Sequence, residues 1–324
     1  MVGQHRRYSA APLLLLMLAG IALERSAAQG DGKGQDTSLL AGARRAAEAG
    51  DLATAERKAS EYQAAKPNSA EGMYLMGRIL EARDRPKESL EWFTRAAAVI
   101  PPSGEELRLV GLDYVLLDAY PEARHWLSRS VEVDAGNAEA WYDLGRAQMM
   151  EGDFSGAQQS LERALVLKPR LAKAENNLGV VYETQNLPIK AAMAYQQAIA
   201  WQEADPHPSE QPLLNYGVLL LTQGRNAEAL PLLRKAVKIA PQDVKCREQL
   251  ARALDRTGDT SGAIESMAEA VRLQPNSASL HFELGQIYRR AGALEKAKQE
   301  LILSQQLYGS HSSDPMDKPL RPRN

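Results

Sequence analysis

Few residues of this 324-residue sequence have the types and spacing that catalysis or metal binding needs. None of the scattered histidines has a cysteine or carboxylate at the spacing of a ligand set, with one exception. Asp205, His207 and Glu210 could bind a metal if their segment folded back, but the prolines within it favour a spacer. The sequence contains no G-x-S-x-G, P-loop or dinucleotide-binding motif. We therefore expect no catalytic residue, no metal and no cofactor. The five histidines are His5, His125, His207, His281 and His311.

The composition predicts a folded, all-α protein. Hydrophobic residues make up 44% of the chain and charged residues 25%, which is enough apolar material for a buried core. Alanine, leucine, glutamate and arginine dominate, and these residues favour helices because they lose little side-chain freedom there. The formal net charge is −2, so there is no excess of cations to neutralise a phosphate backbone, and we expect no nucleic-acid partner.

The first 28 residues have the pattern of a secretory signal peptide. Arg6 and Arg7 precede an apolar run over residues 10–23, and Ser26-Ala27-Ala28 supplies small residues for cleavage before Gln29. The apolar run is shorter than the roughly 20 residues that cross a bilayer. An uncleaved anchor remains the alternative. The residues after Arg7 match a twin-arginine signal poorly, which favours the general secretion route.

Removal of this segment would leave a mildly acidic chain. Its single cysteine, Cys246, lies far from the cleavage region, so we expect neither a lipidated N-terminus nor an intramolecular disulfide. The predicted product is exported, periplasmic or extracellular, and soluble, without a membrane span after cleavage.

The chain from about residue 36 repeats with a step of 34 residues, interrupted once by a step of 38. We call the recurrent small positions the glycine column, and two further columns, twelve and nineteen residues later, contain only alanine or serine. The glycine column is Gly77, Gly111, Gly145, Gly179, Gly217, Ala251 and Gly285. The second column is Ser89, Ala123, Ala157, Ala191, Ala229, Ala263 and Ala297, and the third is Ala96, Ser130, Ala164, Ala198, Ala236, Ala270 and Ser304.

These columns predict pairs of closely packed antiparallel helices. Small residues at facing positions let two helices approach at the short end of the usual 8–10 Å separation. Large apolar residues recur between them at helical spacing, and Gly152-Asp153 breaks the pattern between two helices. Prolines end the second helix of several repeats. They are Pro67, Pro101, Pro169, Pro241 and Pro275.

The repeating unit resembles the tetratricopeptide repeat, with Trp141-x2-Leu144-Gly145 followed by Ala157, Ala164 and Pro169. The resemblance implies a right-handed α-α superhelical solenoid of helix-turn-helix units, whose first helices line a concave, protein-binding groove. A linker would cover residues 29–35 and a disordered tail residues 310–324. The eight predicted units are 36–69, 70–103, 104–137, 138–171, 172–209, 210–243, 244–277 and 278–309.

Three positions depart from the repeat pattern. The first unit has Ala43 in the glycine column, the third has Ala135 in place of proline, and the fifth carries an insertion around residues 204–209.

A polar column two residues before the glycine column provides candidate groove residues. If the resemblance holds, these side chains face the groove, where amides and carboxylates can hydrogen-bond the backbone of an extended peptide. The alternative is that they stay solvated or bond locally. This polar ladder is Asp143, Asn177, Asn215, Gln249 and Glu283.

Four arginines of the last two units form a second candidate partner site, for an acidic segment or a C-terminal carboxylate. They are Arg252, Arg256, Arg289 and Arg290. Because Glu248, Asp255 and Glu283 are close in sequence, internal ion pairs are the alternative.

We therefore predict an exported, non-catalytic scaffold that binds extended peptide segments or partner subunits. The alternative is an accessory subunit permanently assembled into an envelope enzyme or secretion complex. The last unit lacks a covering helix, so apolar residues such as Leu301 or Leu303 should be exposed, and we expect weak self-association or end-on partner contact there.

Overall fold

The computed structural model describes the backbone of residues 33–311 and the side chains of residues 38–309. This part of the chain contains sixteen helices and no strand, which confirms the predicted all-α class.

The chain divides into two compact units, Met1–Pro169 and Arg170–Asn324. The helices of the first unit are α1 (Lys33–Glu48), α2 (Leu52–Ala65), α3 (Ala70–Glu81), α4 (Pro86–Ala97), α5 (Gly104–Leu116), α6 (Tyr120–Val133), α7 (Ala138–Glu151) and α8 (Phe154–Leu167). Those of the second are α9 (Ala172–Thr184), α10 (Pro188–Trp201), α11 (Gln211–Thr222), α12 (Asn226–Ile239), α13 (Val244–Arg256), α14 (Thr260–Leu273), α15 (Ala278–Arg290) and α16 (Leu294–His311).

Within each unit the helices form antiparallel hairpins that stack in chain order. The first helix of each hairpin, such as α3, packs on its own second helix, α4, and on the first helix of the next hairpin, α5. The second helix also contacts the next first helix. The apolar core therefore runs continuously along each stack, and no hairpin buries its apolar face alone.

The glycine column is the closest point between the two helices of a hairpin. A Cβ added at Gly145 would lie 2.8 Å from Leu161 Cγ, and one at Gly217 would lie 2.7 Å from Leu233 Cγ. Contacts this short do not occur between carbon atoms, so a larger side chain would force the helices apart. The residues sixteen positions after the glycine column form what we call the facing column. Its members are Ala59, Phe93, Leu127, Leu161, Tyr195, Leu233, Met267 and Leu301.

The two alanines of the glycine column stand opposite side chains that leave room for a methyl group. Ala43 shares a buried cluster with the small Ala59, and Ala251 shares one with Met267. Methionine is unbranched and flexible, so it can bend away from an added Cβ where leucine cannot. The facing residue therefore explains the departure at residue 43.

A left-handed residue connects the two helices of every hairpin. The residue seven positions after each glycine-column position has a positive φ. Most repeats have glycine there, which adopts this conformation without strain. Two aspartates and one asparagine also adopt this conformation, at some cost in conformational free energy. The eight residues are Gly50, Asp84, Asp118, Gly152, Asn186, Gly224, Gly258 and Gly292.

The insertion of the fifth repeat is a short, ordered connection between α10 and α11. The buried Gln202 holds its two ends together, because its Nε2 donates to the carbonyl of Ser209 at 2.7 Å and its Oε1 accepts from the Ser209 amide at 3.1 Å.

Within the described residues, no group of three or more His, Cys, Asp or Glu side chains could hold a metal ion.

The predicted signal peptide lies outside the described residues, and so does most of the predicted tail. Helix α1 begins at Lys33, within the predicted linker, and α16 continues to His311. Between residues 33 and 311, no helix combines the length and the apolar character needed to cross a membrane.

Asp113 places a carboxyl group in the core of the first unit. It lies two residues after the glycine column, where six of the other seven hairpins bury alanine, valine, leucine or isoleucine. Neither carboxyl oxygen has a hydrogen-bond partner of normal geometry among the described residues, and the neighbouring Ser89 hydroxyl donates instead to the carbonyl of Gly77 at 3.0 Å. Burial raises the pKa of Asp113 to about 8, and the negative charge of Glu81 acts in the same direction.

Asp113 should make the first unit less stable as the pH rises. The folded chain retains a proton up to about pH 8 that the unfolded chain releases near pH 4, so stability present at low pH is lost across that window. We expect urea denaturation to show a decrease on the order of 3 kcal/mol between pH 5 and pH 9. Asp113→Ala should raise stability at pH 9, and the neutral isostere Asp113→Asn should flatten the pH dependence. Equal pH profiles of the wild type and both variants would contradict this account.

Candidate functional site

Asp143, the only member of the polar ladder in the first unit, is held in an ion-pair network. Arg108 of the preceding first helix, α5, donates from Nη1 to Asp143 Oδ2 at 2.6 Å, and Arg146 Nη1 lies 3.8 Å from Oδ1. The Asp143 side chain is buried, and Arg108 also pairs with Glu105. This carboxylate therefore connects two neighbouring first helices.

Asn177 and Asn215, in the second unit, belong to an amide network on neighbouring first helices. Asn215 Nδ2 donates to Oδ1 of the buried Asn176 at 3.0 Å, and Asn176 Nδ2 donates to Asn177 Oδ1 at 3.4 Å. Asn177 and Asn215 are half-buried, so each also has surface available. The structure brings these two ladder residues together through Asn176, which the sequence pattern did not indicate.

Gln249 and Glu283 lie on either side of Arg252. Arg252 donates from Nε to Glu283 Oε2 at 2.9 Å, and its second guanidinium nitrogen pairs with Glu283 Oε1 and, at 2.6 Å, with Glu248. Gln249 is buried, with Oε1 3.5 Å from Arg252 Nη1. The ladder and the predicted arginine cluster therefore meet at Arg252.

The other three arginines do not form one cluster. Arg256 Nη1 donates to the carbonyl of Leu221 at 2.8 Å, and Arg290 makes two bonds to Asp255, at 3.1 and 2.6 Å. Arg289 is exposed and lies apart from them, against α16. Internal ion pairs, the alternative left open by the sequence, thus hold Arg252 and Arg290.

Ion pairs between successive first helices recur in both units with a common polarity. The arginine belongs to the earlier helix and the acid to the later one in four cases, whereas Arg290–Asp255 has the opposite order. Charges at these positions are complementary along the stack, so each pair favours the native neighbour over a wrong one. The four are Arg44–Glu71, Arg78–Glu106, Arg108–Asp143 and Arg252–Glu283.

A cleft of about 610 Å³ opens beside the first three first helices, α1, α3 and α5. Its floor is apolar and includes Leu75 and Ile79, and its rim carries the charge pairs Arg44–Glu71 and Arg78–Glu106. The size and the mixture of an apolar floor with a few polar groups are typical of a ligand site. The lining residues are Arg44, Ala47, Glu48, Leu52, Ala70, Glu71, Tyr74, Leu75, Arg78, Ile79, Ala82, Ile100, Pro101, Ser103 and Glu106.

One wall of this cleft depends on how the second hairpin ends. Helix α4 stops at Ala97, and the connection to α5 continues through Ile100 and Pro101 into the cleft. The hydroxyl of Tyr74 donates to the Ile100 carbonyl at 2.6 Å and fixes this segment. Burial, with the charge of Glu106, raises the pKa of Tyr74 to about 12, so the hydroxyl keeps its proton at neutral pH.

The cleft is a site that the sequence reading missed. None of its lining residues was among the candidates, because the column that forms the polar ladder from Asp143 onward is apolar in the first three repeats, where it holds Ala41, Leu75 and Leu109. The signal in the sequence was Pro101-Pro102, where other repeats have a single proline, directly after the apolar pair Val99-Ile100.

Comparison with protein families agrees with the stacked hairpins. Models described as tetratricopeptide repeat match residues 40–104, 138–171, 220–265 and 248–303, together more than half of the chain. The chain belongs to the tetratricopeptide-repeat family.

Individual relatives are distant. The chain is 24% identical over 246 residues to the protein CTR9 homolog of Arabidopsis thaliana, a match that covers 63% of this chain but only 22% of that protein. It is 26% identical over 174 residues to the type IV pilus assembly protein PilF of Pseudomonas aeruginosa, covering 52% of this chain and 68% of PilF. Among solved structures, the APC/C hetero-tetramer Cut9–Hcn1 is similar with a TM-score of 0.60 at 16% identity, covering 80% of this chain and 50% of that one.

Proposed function

We propose that this protein is a non-catalytic scaffold that binds an extended segment of a partner protein, and that the cleft of the first unit is its main contact. The observation that carries the proposal is the apolar floor of the cleft beneath a rim of paired charges. Other members of the family serve as protein-interaction scaffolds, and each stack of hairpins offers such a partner several parallel helices.

The chemistry of the cleft suits a segment with an apolar side chain flanked by polar groups. The apolar side chain would cover Leu75 and Ile79, while the backbone and polar side chains would meet the rim. Arg44 and Glu71 are each about half exposed, at 49% and 55%, so they can exchange their mutual bond for bonds to a partner at little cost. In the second unit, we propose that the side-chain amides of the half-buried Asn177 and Asn215 hydrogen-bond the backbone of an extended segment.

Photo-crosslinking in cells tests the cleft. A photoreactive residue at position 82, which lines it, should give a defined partner adduct, whereas one at the exposed position 53 of α2 should not. Ala47→Phe fills the cleft and should lower the yield at position 82 at least fivefold. Ala53→Phe adds the same ring outside the cleft and should leave the yield unchanged.

The proposal fails if position 82 labels no partner more strongly than position 53, or if Ala47→Phe does not lower the yield although the protein melts normally. Positions 177 and 215 report separately on the amide network of the second unit.

We also propose that the protein is exported and acts outside the cytoplasm. The support is the charge and apolar pattern of residues 1–28, together with the similarity to PilF, whose name assigns it to pilus assembly. The intact mass of the protein recovered from its own cells should correspond to a chain that starts at Gln29. A mass that includes residues 1–28 would rule out cleavage.

A second candidate function is that of an accessory subunit with one permanent partner. The observation that favours it is the exposed apolar surface of α16, where Leu294, Ile302 and Tyr308 are about half exposed or more. Permanent assembly would make the partner co-purify in a fixed ratio, whereas binding of extended segments would not.

A further inference from the structure

The last hairpin ends the described part of the second unit with an exposed apolar face, which is distinct from the cleft of the first unit. Helix α16 has 18 residues, against 12 to 16 for the other helices. Leu294 is 65% exposed and Ile302 is 46% exposed. These are large apolar areas at the end of a stack that elsewhere covers such residues.

The burial of the facing column differs between the last hairpin and the earlier ones. In the earlier hairpins these residues are almost fully buried, and the first helix of the next hairpin contributes to that burial. Met267 of α14, for example, packs in one cluster with Leu280 and Leu284 of α15. The corresponding residue of α16, Leu301, is only half-buried. The apolar groove that an adjacent first helix fills elsewhere is therefore open on α15 and α16.

Two further positions of α16 are apolar although the same columns are mostly polar in the other hairpins. Ile302 stands where other second helices have Thr94, Ser128, Glu162, Gln196, Arg234 and Ala268. Leu303 stands where they have Arg95, Arg129, Arg163, Gln197, Lys235 and Glu269. Those positions are half-buried or exposed on the other hairpins, so isoleucine and leucine there add apolar surface to α16.

The open groove is positively charged. It has a volume of about 330 Å³ and is lined by Arg289, Leu294, Ala297, Lys298, Leu301, Ile302 and Gln305, with no acidic side chain. No acid pairs with Arg289 or Lys298 among the described residues. Arg44, Arg78, Arg108 and Arg252 of earlier first helices each pair with an acid on the next first helix, but they stand at other positions of the repeat than Arg289. Because the groove itself has two cations and no acid, an occupant with acidic side chains would complement it.

We propose that this groove, formed by α15 and α16, is a docking surface for an acidic, amphipathic helix of a partner protein. The helix would lie where the first helix of a following hairpin would lie, with its apolar side on Leu294, Leu301 and Ile302. Its acids would pair with Arg289 and Lys298. The site is separate from the cleft, so the two can bind different segments.

The charges argue against the two occupants that this chain itself could supply. A second copy that used the same groove would bring Arg289 and Lys298 again, and its α1 has Arg44 and Arg45 against the single acid Glu48 among residues 38–48. Residues 312–324 have three cations and two acids, so this segment brings no excess of acids. Neither occupant therefore complements the charge of the groove as an acidic helix would.

Two helices of the chain itself provide matched peptide probes. The acidic probe is the α7 sequence Ala138–Glu151, with charged residues Glu139, Asp143, Arg146 and Glu151. The basic control is the α13 sequence Val244–Arg256, with charged residues Lys245, Arg247, Glu248, Arg252, Asp255 and Arg256. Both are first helices with an apolar side and their net charges have opposite signs. The α7 peptide is also more apolar, with Trp141 and two methionines, so the charge-reversal variant below is needed to separate charge from apolar contact. Each is acetylated, amidated and fluorescently labelled.

Fluorescence anisotropy with the whole protein under reducing conditions should show the α7 peptide binding at least tenfold more tightly than the α13 peptide. Leu294→Lys with Ile302→Lys should weaken α7 binding at least tenfold. Arg289→Glu with Lys298→Glu should reverse the preference between the two peptides. As controls, Ile189→Lys, at an exposed apolar position of α10, and Ala47→Phe, in the cleft, should leave binding unchanged.

The proposal is overturned if the two peptides bind equally, or if the variants of α15 and α16 leave α7 binding intact. It is also overturned if Ala47→Phe abolishes binding, because the peptide would then occupy the cleft. Self-association in sedimentation that Ile302→Lys removes would assign the groove to a second copy instead.

Discussion

The contact between the glycine column and the facing column sets the distance between the two helices of each hairpin, and the rest of the structure depends on that distance. At Gly145 the helices are so close that even a methyl group would overlap Leu161. A wider hairpin would not match its neighbour, and the buried clusters shared by successive hairpins would open. Where the glycine column holds alanine, the facing residue is small or flexible, as with Ala251 and Met267.

The sequence was sufficient to predict the class of fold and the step of the repeat. Small residues at fixed spacing have one simple explanation, which is close packing of helices, and that packing is what the structure shows. The left-handed position between the helices of each hairpin could have been read from the same alignment of repeats, since five of its eight residues are glycine. Asp113 could have been noticed as a polar residue in an apolar column, although its burial required the structure.

The candidate site was harder to predict because its features depend on contacts between hairpins. Asp143 and Arg108 are 35 residues apart, and only the stacking of α5 on α7 brings them together. In the polar ladder, Asp143, Asn215 and Glu283 bond to neighbouring first helices, while Asn177 and Asn215 keep accessible surface. The cleft depends on the path of residues 98–103, a local detail that the repeat pattern does not contain.

Charge complementarity connects the interior of the stacks with their open surfaces. Inside each unit, arginines and acids on successive first helices neutralise one another. The cleft has such pairs at its rim, and the groove of α15 and α16 has cations without acids. Under this account the two surfaces select different partners: one an extended segment, the other an acidic helix.

A double-mutant cycle at Gly145 and Leu161 tests most directly whether the facing residue sets the helix distance. Gly145→Ala alone should destabilise the protein to urea by about 2 kcal/mol through overpacking, and Leu161→Met alone by less than about 1.5 kcal/mol. The double variant reproduces the pairing of Ala251 with Met267, so it should recover at least about 1 kcal/mol relative to the sum of the single changes. Strictly additive effects would show that the facing residue does not limit the approach of the helices, and would contradict the account.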